Sequence, residues 1–484
     1  MKLAFYFRWL PALLLWLGTA LAAQASHLLG AEMTYAPVAA TTAGTPRYHV
    51  VLKLYVDLLP QSAKQPTATL VFSRNGCDAV GTGSFAVDVP ITQITKTYGQ
   101  SCPANLAYTV QLYETDADLP QGQWTISFSG ENRAAGVRNI TSPASQAFGI
   151  YCSAFLNTEL VAQNTSPVFL SSRLPYVASG QAERYSFSAF DADGDSLVYR
   201  FVTPQTGTGA QYVCGVDIPS TPSPHFQLNA ATGALTAPAT ATTDVGIYIM
   251  AARVDEYRRL NGSWQQIGWV MRDVSYLYLN ATNRAPGFTG LTVGGGPAAQ
   301  PLNELIRVRA GQTVVLALDA ADPDAGQVLS FSSDAVGTIP GLALQPLGPT
   351  HAQLTWQVPA TLPPGRYVAT VAVTDDGCPT ASEEQTLAFL VTAATPLATR
   401  PTGAAKAAAF PMPFREQVQF QAGAPGQAIT IVDELGRVVA QLRTQADGRV
   451  VWQPAAALPA GLYVARGADG RPLARLLRAA NTTY

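Results

Sequence analysis

Arg47 to Asp57 (RYHVVLKLYVD) alternates with a period of two: Tyr48, Val50, Leu52, Leu54 and Val56 fall on one face, and Arg47, His49, Val51, Lys53, Tyr55 and Asp57 on the other. Successive side chains of a β-strand point to opposite faces, so this is the pattern of a strand with one face on a core. Tyr108 to Glu114, Gln123 to Phe128, Tyr185 to Phe190, Gly246 to Val254, Val270 to Leu279, Thr313 to Leu318 and Arg366 to Val373 read the same way. Clusters of Gly, Pro, Asn and Asp separate them, as turns require. Beyond the first 25 residues, no window sustains an apolar i, i+3, i+4, i+7 stripe over three turns. The expected fold class is all-β, with several sandwich-like domains.

The 484 residues correspond to about three domains at roughly 150 residues each. Hydrophobic residues make up 48 % and charged residues 13 %, which is enough apolar side chain for several cores and too little charge for a disordered chain. With 30 Lys+Arg and a formal charge of -2, the chain lacks the basic face a nucleic-acid binder needs. Four histidines leave few candidates for imidazole chemistry.

Residues 1–25 read as a secretory signal peptide: Lys2 and Arg8 precede the apolar run Trp9 to Leu21, and Ala23-Gln24-Ala25 offers a small-x-small cleavage site. The mature chain is expected to start near Ser26 and to be exported. Of the five cysteines, Cys77, Cys102, Cys152 and Cys214 lie close in sequence; they allow three connectivities that spacing does not choose between. Cys77–Cys102 with Cys152–Cys214 is the arrangement expected, which leaves Cys378 as a buried thiol.

An internal repeat divides the middle of the chain. Asn164-Thr-Ser-Pro-Val-Phe169 is echoed by Asn283-Arg-Ala-Pro-Gly-Phe288, and Gly246-Ile-Tyr248 by Gly365-Arg-Tyr367, both at an offset of 119. The acidic stretch Asp191 to Leu197 has a looser counterpart at Asp322 to Leu329. The expected organisation is a signal peptide (1–25), an N-terminal β domain (26–163), two sandwiches (164–282 and 283–391), an Ala/Thr/Pro linker (392–409) and a small C-terminal β-domain (410–484).

The repeats resemble cadherin-like and PKD-like immunoglobulin-type modules of bacterial surface proteins. Residues 26–280 further resemble large secreted proteins of gliding Bacteroidota, through Ser26 to Tyr35 (SHLLGAEMTY), Trp124 to Phe128, Ser166 to Phe169, Asp191 to Tyr199 and Asp255 to Arg258. Residues 410–484 are similar to type IX secretion C-terminal sorting domains, through Pro411 to Phe414 (PMPF), Asp433 to Val439 (DELGRVV) and Leu458 to Val464 (LPAGLYV). The first resemblance implies tandem immunoglobulin-like sandwiches. The last implies a small sandwich that engages the type IX secretion machinery and is then removed, leaving the mature protein secreted or attached to the outer-membrane surface.

Asp191, Asp193 and Asp195 alternate around Gly194, and a turn there would bring carboxylates together on a hard cation; calcium takes six to eight oxygens. An Asx-rich turn is the structural alternative. Asp319, Asp322 and Asp324 form a second, weaker set. Asp255-Glu256 and Asp375-Asp376 read as solvated strand ends, since neighbours on a strand face opposite ways. His27, His49, His225 and His351 do not cluster and read as structural. Trp264 and Trp269, with Tyr257, Tyr276 and Tyr278, offer an aromatic platform for a glycan. The expected function is a non-catalytic exported adhesion or scaffold protein with no catalytic residues. The alternative is a secreted glycan-binding protein or glycan hydrolase with accessory sandwiches. The ligand on either reading is an unidentified surface glycan or protein.

Overall fold

A computed structural model describes residues 28–58, 65–77, 83–131, 133–134, 136–141, 148–207, 214–240, 244–296, 299–393, 409–433 and 436–479. The expected signal peptide (1–25), His27 and most of the expected 392–409 linker lie outside these residues. The chain divides into two compact units, Met1–Ala394 and Thr395–Tyr484. Among the described residues the regular elements are all strands, and no helix is long and apolar enough to cross a membrane.

The first seven strands are β1 (Leu28–Val38), β2 (Arg47–Asp57), β3 (Thr67–Arg74), β4 (Phe85–Tyr98), β5 (Tyr108–Asp118), β6 (Gln123–Gly130) and β7 (Ile150–Asn157). They pair in the order β1-β2-β5-β4-β3-β6-β7. The quoted strand β2 behaves as its alternation requires, with Tyr48, Val50, Leu52, Leu54 and Val56 in the core. Tyr55 on the opposite face is also buried, because a later part of the chain covers it.

That later part is the hairpin of strands Gly246–Leu260 and Ser263–Leu279. The free edge of Ser263–Leu279 takes β7 (Val270↔Ala154) and then β1 (Glu32↔Arg272), so both ends of the seven-strand path dock on one strand. Its last residues also pair with Tyr176–Ala178. Residues 28–163 and 164–282 therefore share one sheet and one apolar cluster running from Leu28 to Tyr278, where the sequence reading set a boundary at 163/164. The cause is length: the strands of this hairpin have 15 and 17 residues, against 10 and 11 for their repeat counterparts Gly365–Thr374 and Ser382–Thr392.

The middle module lays this hairpin and Ser196–Val202 against a small sheet of Glu183–Ser186, Ala234–Ala237 and Gln227–Leu228. Residues 283–391 form a sandwich of two four-stranded sheets around Leu316, Leu354, Trp356, Val371 and Phe389. The repeated Gly-x-Tyr element acquires a physical meaning here. The Tyr248 hydroxyl donates to the Asp244 carbonyl (2.6 Å) and Tyr367 to Pro363 (2.8 Å). Each ring plugs the core while its hydroxyl ties the strand start to the preceding loop, as in the tyrosine corner of immunoglobulin-like sandwiches. In the second unit Tyr463 does the same to Pro459 (2.6 Å). That unit pairs Val418–Gln421 with Arg449–Trp452, beside a four-stranded sheet, over a core of Phe414, Phe420, Ile431, Trp452 and Leu476.

Two disulfides form, and their pairing differs from the expected one: Cys77–Cys214 and Cys102–Cys378, with Cys152 a buried free thiol. Sequence proximity misleads because both bonds span modules. Cys102 sits in the loop after β4 and meets the 375–381 turn of the last sandwich. The same junction is dense with buried polar contacts. Ser186 Oγ lies 3.0 Å from Thr386 Oγ1, and Ser188 Oγ lies 2.8 Å from it. Asp334 accepts from Ser172 N (2.8 Å) and from the Lys96 ammonium. Glu384 accepts from Ser171 Oγ (2.6 Å) and Ser186 N (3.2 Å).

Burial pushes the Glu384 carboxyl up to about 7 against the hydrogen bond from Ser171, and burial likewise pushes Glu183 up to about 8. Both hold a proton to higher pH than in the unfolded chain, so their stabilisation is complete near pH 4 and falls as pH rises through about 7 to 8. For Glu384 alone the loss is on the order of 3 kcal/mol. Thermal unfolding followed between pH 5 and 8.5 should show stability declining with pH, and Glu384→Gln should flatten that decline. A stability that rises over this range would contradict the assignment.

Candidate functional site

The acidic turn 191–195 packs against the 246–279 hairpin, but the carboxylates that converge are not the three expected. Asp191, Asp195 and Glu256 each place an oxygen within 4.8 Å of the other two. Asp193 turns away, accepting from Thr165 N (3.0 Å) and from Arg258 Nη2 (2.9 Å). The reason is local geometry. Asp195 N donates back to Asp191 Oδ1 (3.0 Å), closing a turn at Gly194, whose φ is 80°. That turn puts residues 191 and 195 on the inner side and 193 outside.

Glu256 reaches the site from the neighbouring strand and is fully buried, and Asp255 and Asp375 are buried too, so of these strand-end carboxylates only Asp376 is solvated as expected. Alternation does put 255 and 256 on opposite faces: Glu256 lies on the core side, and Asp255 is covered by Arg200, Arg253 and Gln266. The repeat motif contributes here through its asparagine, which sequence reasoning overlooked. Asn164 Nδ2 donates to Glu256 Oε2 (2.8 Å), and 119 residues on Asn283 Nδ2 donates to Asp375 Oδ2 (2.8 Å). The common offset of 119 linking Asn164 with Asn283 and Glu256 with Asp375 was the available signal.

One cation is already built in. The Arg258 guanidinium binds Asp195 through Nε–Oδ1 (2.7 Å) and Nη2–Oδ2 (2.5 Å) and also donates to Asn164 Oδ1 (2.8 Å). It satisfies Asp195 and Asp193 and leaves Asp191 Oδ2 and Glu256 Oε1 buried without a partner. Burial first, then the neighbouring aspartates against the Asp195 amide, pushes Asp191 up to about 7. Burial together with the charges of Asp191 and Asp195 raises Glu256 well above the carboxylate range. Four carboxylates thus face one guanidinium, and the two orphaned oxygens call for a shared proton or a hard cation; calcium's oxygen preference fits the donor set.

The second acidic set assembles differently. Asp324 accepts from Arg284 N (2.7 Å) and Nε (2.8 Å), and Asp319 pairs with His351 (2.6 Å). His49 pairs with Asp116 (2.8 Å) and His225 with the Tyr276 hydroxyl (2.8 Å). The aromatic set does not form one platform. Tyr276 and Tyr278 are buried around His225, Trp264 is 62 % exposed near the hairpin tip, and Trp269 lines a separate cleft on the sheet face with Tyr151, Arg200, Arg253 and Asp217.

No protein-family model matches the chain, and no curated protein matches it. Among solved structures it is similar to a nucleoside hydrolase-related hypothetical protein from Saccharophagus degradans (14% identity, 25% of this chain and 35% of that one, TM-score 0.17). It is also similar to the human Desmocollin-1 ectodomain (10% identity, 75% and 73%, TM-score 0.17) and to the cadherin domains 1-4 of Protocadherin Gamma B7 (12% identity, 72% and 84%, TM-score 0.16). The chain spans about a third of the first of these. Likenesses at this level assign neither a family nor an activity.

If the Asp191/Asp195/Glu256 centre takes calcium with the millimolar affinity of extracellular modules, saturating calcium should stabilise the first unit by about 1–2 kcal/mol. Thermal unfolding with calcium against chelator measures this. Asp191→Asn should remove the difference, and an unchanged unfolding temperature in the wild type would exclude the ion.

Proposed function

We propose that this is an exported, non-catalytic adhesion or scaffold protein of the cell surface, delivered through its C-terminal unit. The observation that carries the reading is the welding of the first unit. A sheet shared by residues 28–279, with a disulfide between residues 276 positions apart and a buried polar junction that tie it to the last sandwich, makes residues 28–393 a single stiff body. A stiff sandwich assembly transmits load and presents surfaces at a fixed geometry. Two disulfides suit an oxidising, extracytoplasmic compartment. The Asp191/Asp195/Glu256 centre would stiffen the body further with calcium, and the sorting motifs in residues 410–484 account for delivery by the type IX secretion machinery.

A glycan-binding role is the second reading, and the sheet-face cleft supports it over glycan hydrolysis. Asp217 is the single carboxylate among the described residues lining that cleft, whereas glycosidases use two.

Delivery is tested by intact mass and terminal-peptide mapping of the protein from surface and medium fractions of its own host. A mature chain starting near Ser26 and ending before Pro411, found outside the outer membrane, supports the reading; a full-length chain held in the periplasm overturns it. The weld is tested separately. Closing so long a loop is worth on the order of 5 kcal/mol in the chain-entropy estimate. Cys102→Ser with Cys378→Ser should therefore lower the unfolding temperature strongly and open the 375–381 turn to protease. An unchanged digestion pattern would argue against a stiff body.

A further inference from the structure

The cleft occupies about 550 Å³ on one face of the sheet. Its floor residues Tyr151, Ser153, Arg253 and Trp269 alternate along their strands with the core residues Cys152, Ala154, Ala252 and Val270, so they stand on the face opposite the core. The Cys77–Cys214 disulfide holds part of its wall, beside the short strand pair in which Gln205 Nε2 donates to Asp217 Oδ1 (2.9 Å). A volume of this size suits a small ligand.

Arg200 and Arg253 are direct register partners on neighbouring strands, an arrangement that repels when unanswered. Asp255 answers both, accepting from Arg200 Nε (2.8 Å) and pairing with Arg253 Nη2 (2.6 Å), while Gln266 Nε2 donates to its Oδ1 (2.7 Å). Two guanidiniums share one carboxylate, which leaves one positive charge in excess on the floor. The Arg253 guanidinium is also fixed by stacking, with its carbon 4.7 Å from the Trp269 ring centroid. Its Nε and the Tyr151 hydroxyl are buried without a hydrogen-bond partner. Like charges, a stacked fork and orphaned donors at one place are costly to stability and suit recognition of an anion.

We propose that this cleft binds a sugar carrying one carboxylate, a uronic-acid residue of an extracellular polysaccharide. The carboxylate lies on the Arg200/Arg253 pair, and sugar hydroxyls meet Gln205 and Asp217. The excess charge on the floor answers a carboxylate locally, and Asp217 in the wall, which offsets that charge over the cleft as a whole, opposes a phosphate dianion. The planar guanidinium fork matches a planar carboxylate. The inference deepens the adhesion reading and rests on it for where the ligand is met; the binding itself is independent of delivery.

Calorimetric titration of the full chain with galacturonate trisaccharide, against the neutral galactose trisaccharide and a sulfated one, tests it. The uronate should bind, and the neutral and sulfated sugars should bind about tenfold or more weakly, as should Arg253→Gln and Arg200→Gln with the uronate. Arg253→Lys, which keeps the charge and loses the fork, should restore little of the affinity. The unfolding temperature of each variant checks folding, and half-exposed Arg200 provides the reading if Arg253→Gln does not fold. No uronate binding, equal affinity for the neutral or sulfated sugar, or wild-type affinity in Arg200→Gln would overturn the proposal. A protein that reaches the surface yet binds no uronate loses this site and keeps the adhesion reading; one that binds uronate but stays in the periplasm does the opposite.

Discussion

Arg272 and Glu32 face each other across the junction of β1 with the Ser263–Leu279 strand, both buried, with Nε–Oε2 at 3.1 Å. The guanidinium lies against the rings of Tyr55, Phe169 and Phe187, and its Nη2 donates to the hydroxyls of Tyr55 (3.0 Å) and Tyr185 (3.2 Å). It therefore touches β2, the short strand Val168–Phe169 and the middle module at Tyr185 and Phe187. A buried ion pair adds little net stability over an apolar replacement, because desolvation offsets the attraction; losing one partner costs roughly 3–5 kcal/mol. Its consequence here is register. Sliding β1 by one residue would put Glu32 on the other face and strand Arg272 in the apolar cluster. The closure of the sheet, the sharing of one core by two sequence segments and the placing of the hairpin all depend on that register.

The hairpin then serves two sites at once. The carboxylate that completes the acidic turn, Glu256, and the arginine that partly neutralises it, Arg258, lie just beyond the position where the shorter repeat hairpin ends. Asp255, one residue earlier and on the opposite face, neutralises the arginine pair in the cleft. Period-two alternation lets adjacent acidic residues work on opposite sides of one sheet. The dipeptide Asp255-Glu256 thus serves both sites, each residue with its own partners.

Much of the architecture was legible. The alternation in residues 47–57 placed β2 and its core face, and the 119-residue offset found two related modules. The Gly-x-Tyr elements marked strand starts whose hydroxyl bonds recur in all three sandwich-like parts. At the acidic turn a cluster of carboxylates was legible and its membership was not. Asp191 and Asp195 lie together with Glu256, whereas Asp193 belongs to Arg258 and Thr165. Glu256 stood 61 residues away from Asp195, marked only by the 119-residue offset it shares with Asp375.

Local composition by itself determined the all-β class, the strand faces and the turns, because these follow from periodicity and from what Gly, Pro and Asx residues do to the backbone within a few positions. Tertiary structure decided everything that depends on which strands become neighbours. The cysteines show this most plainly: Cys102 pairs with Cys378, not with nearby Cys77, because β4 brings its loop to the turn of the last sandwich. The merging of residues 28–163 with 164–282, the burial of Tyr55 and Glu256, and the meeting of Arg200 with Arg253 have the same origin. Pairing between strands far apart in the chain is set by the summed fit of faces and edges, and no short window of sequence contains that sum.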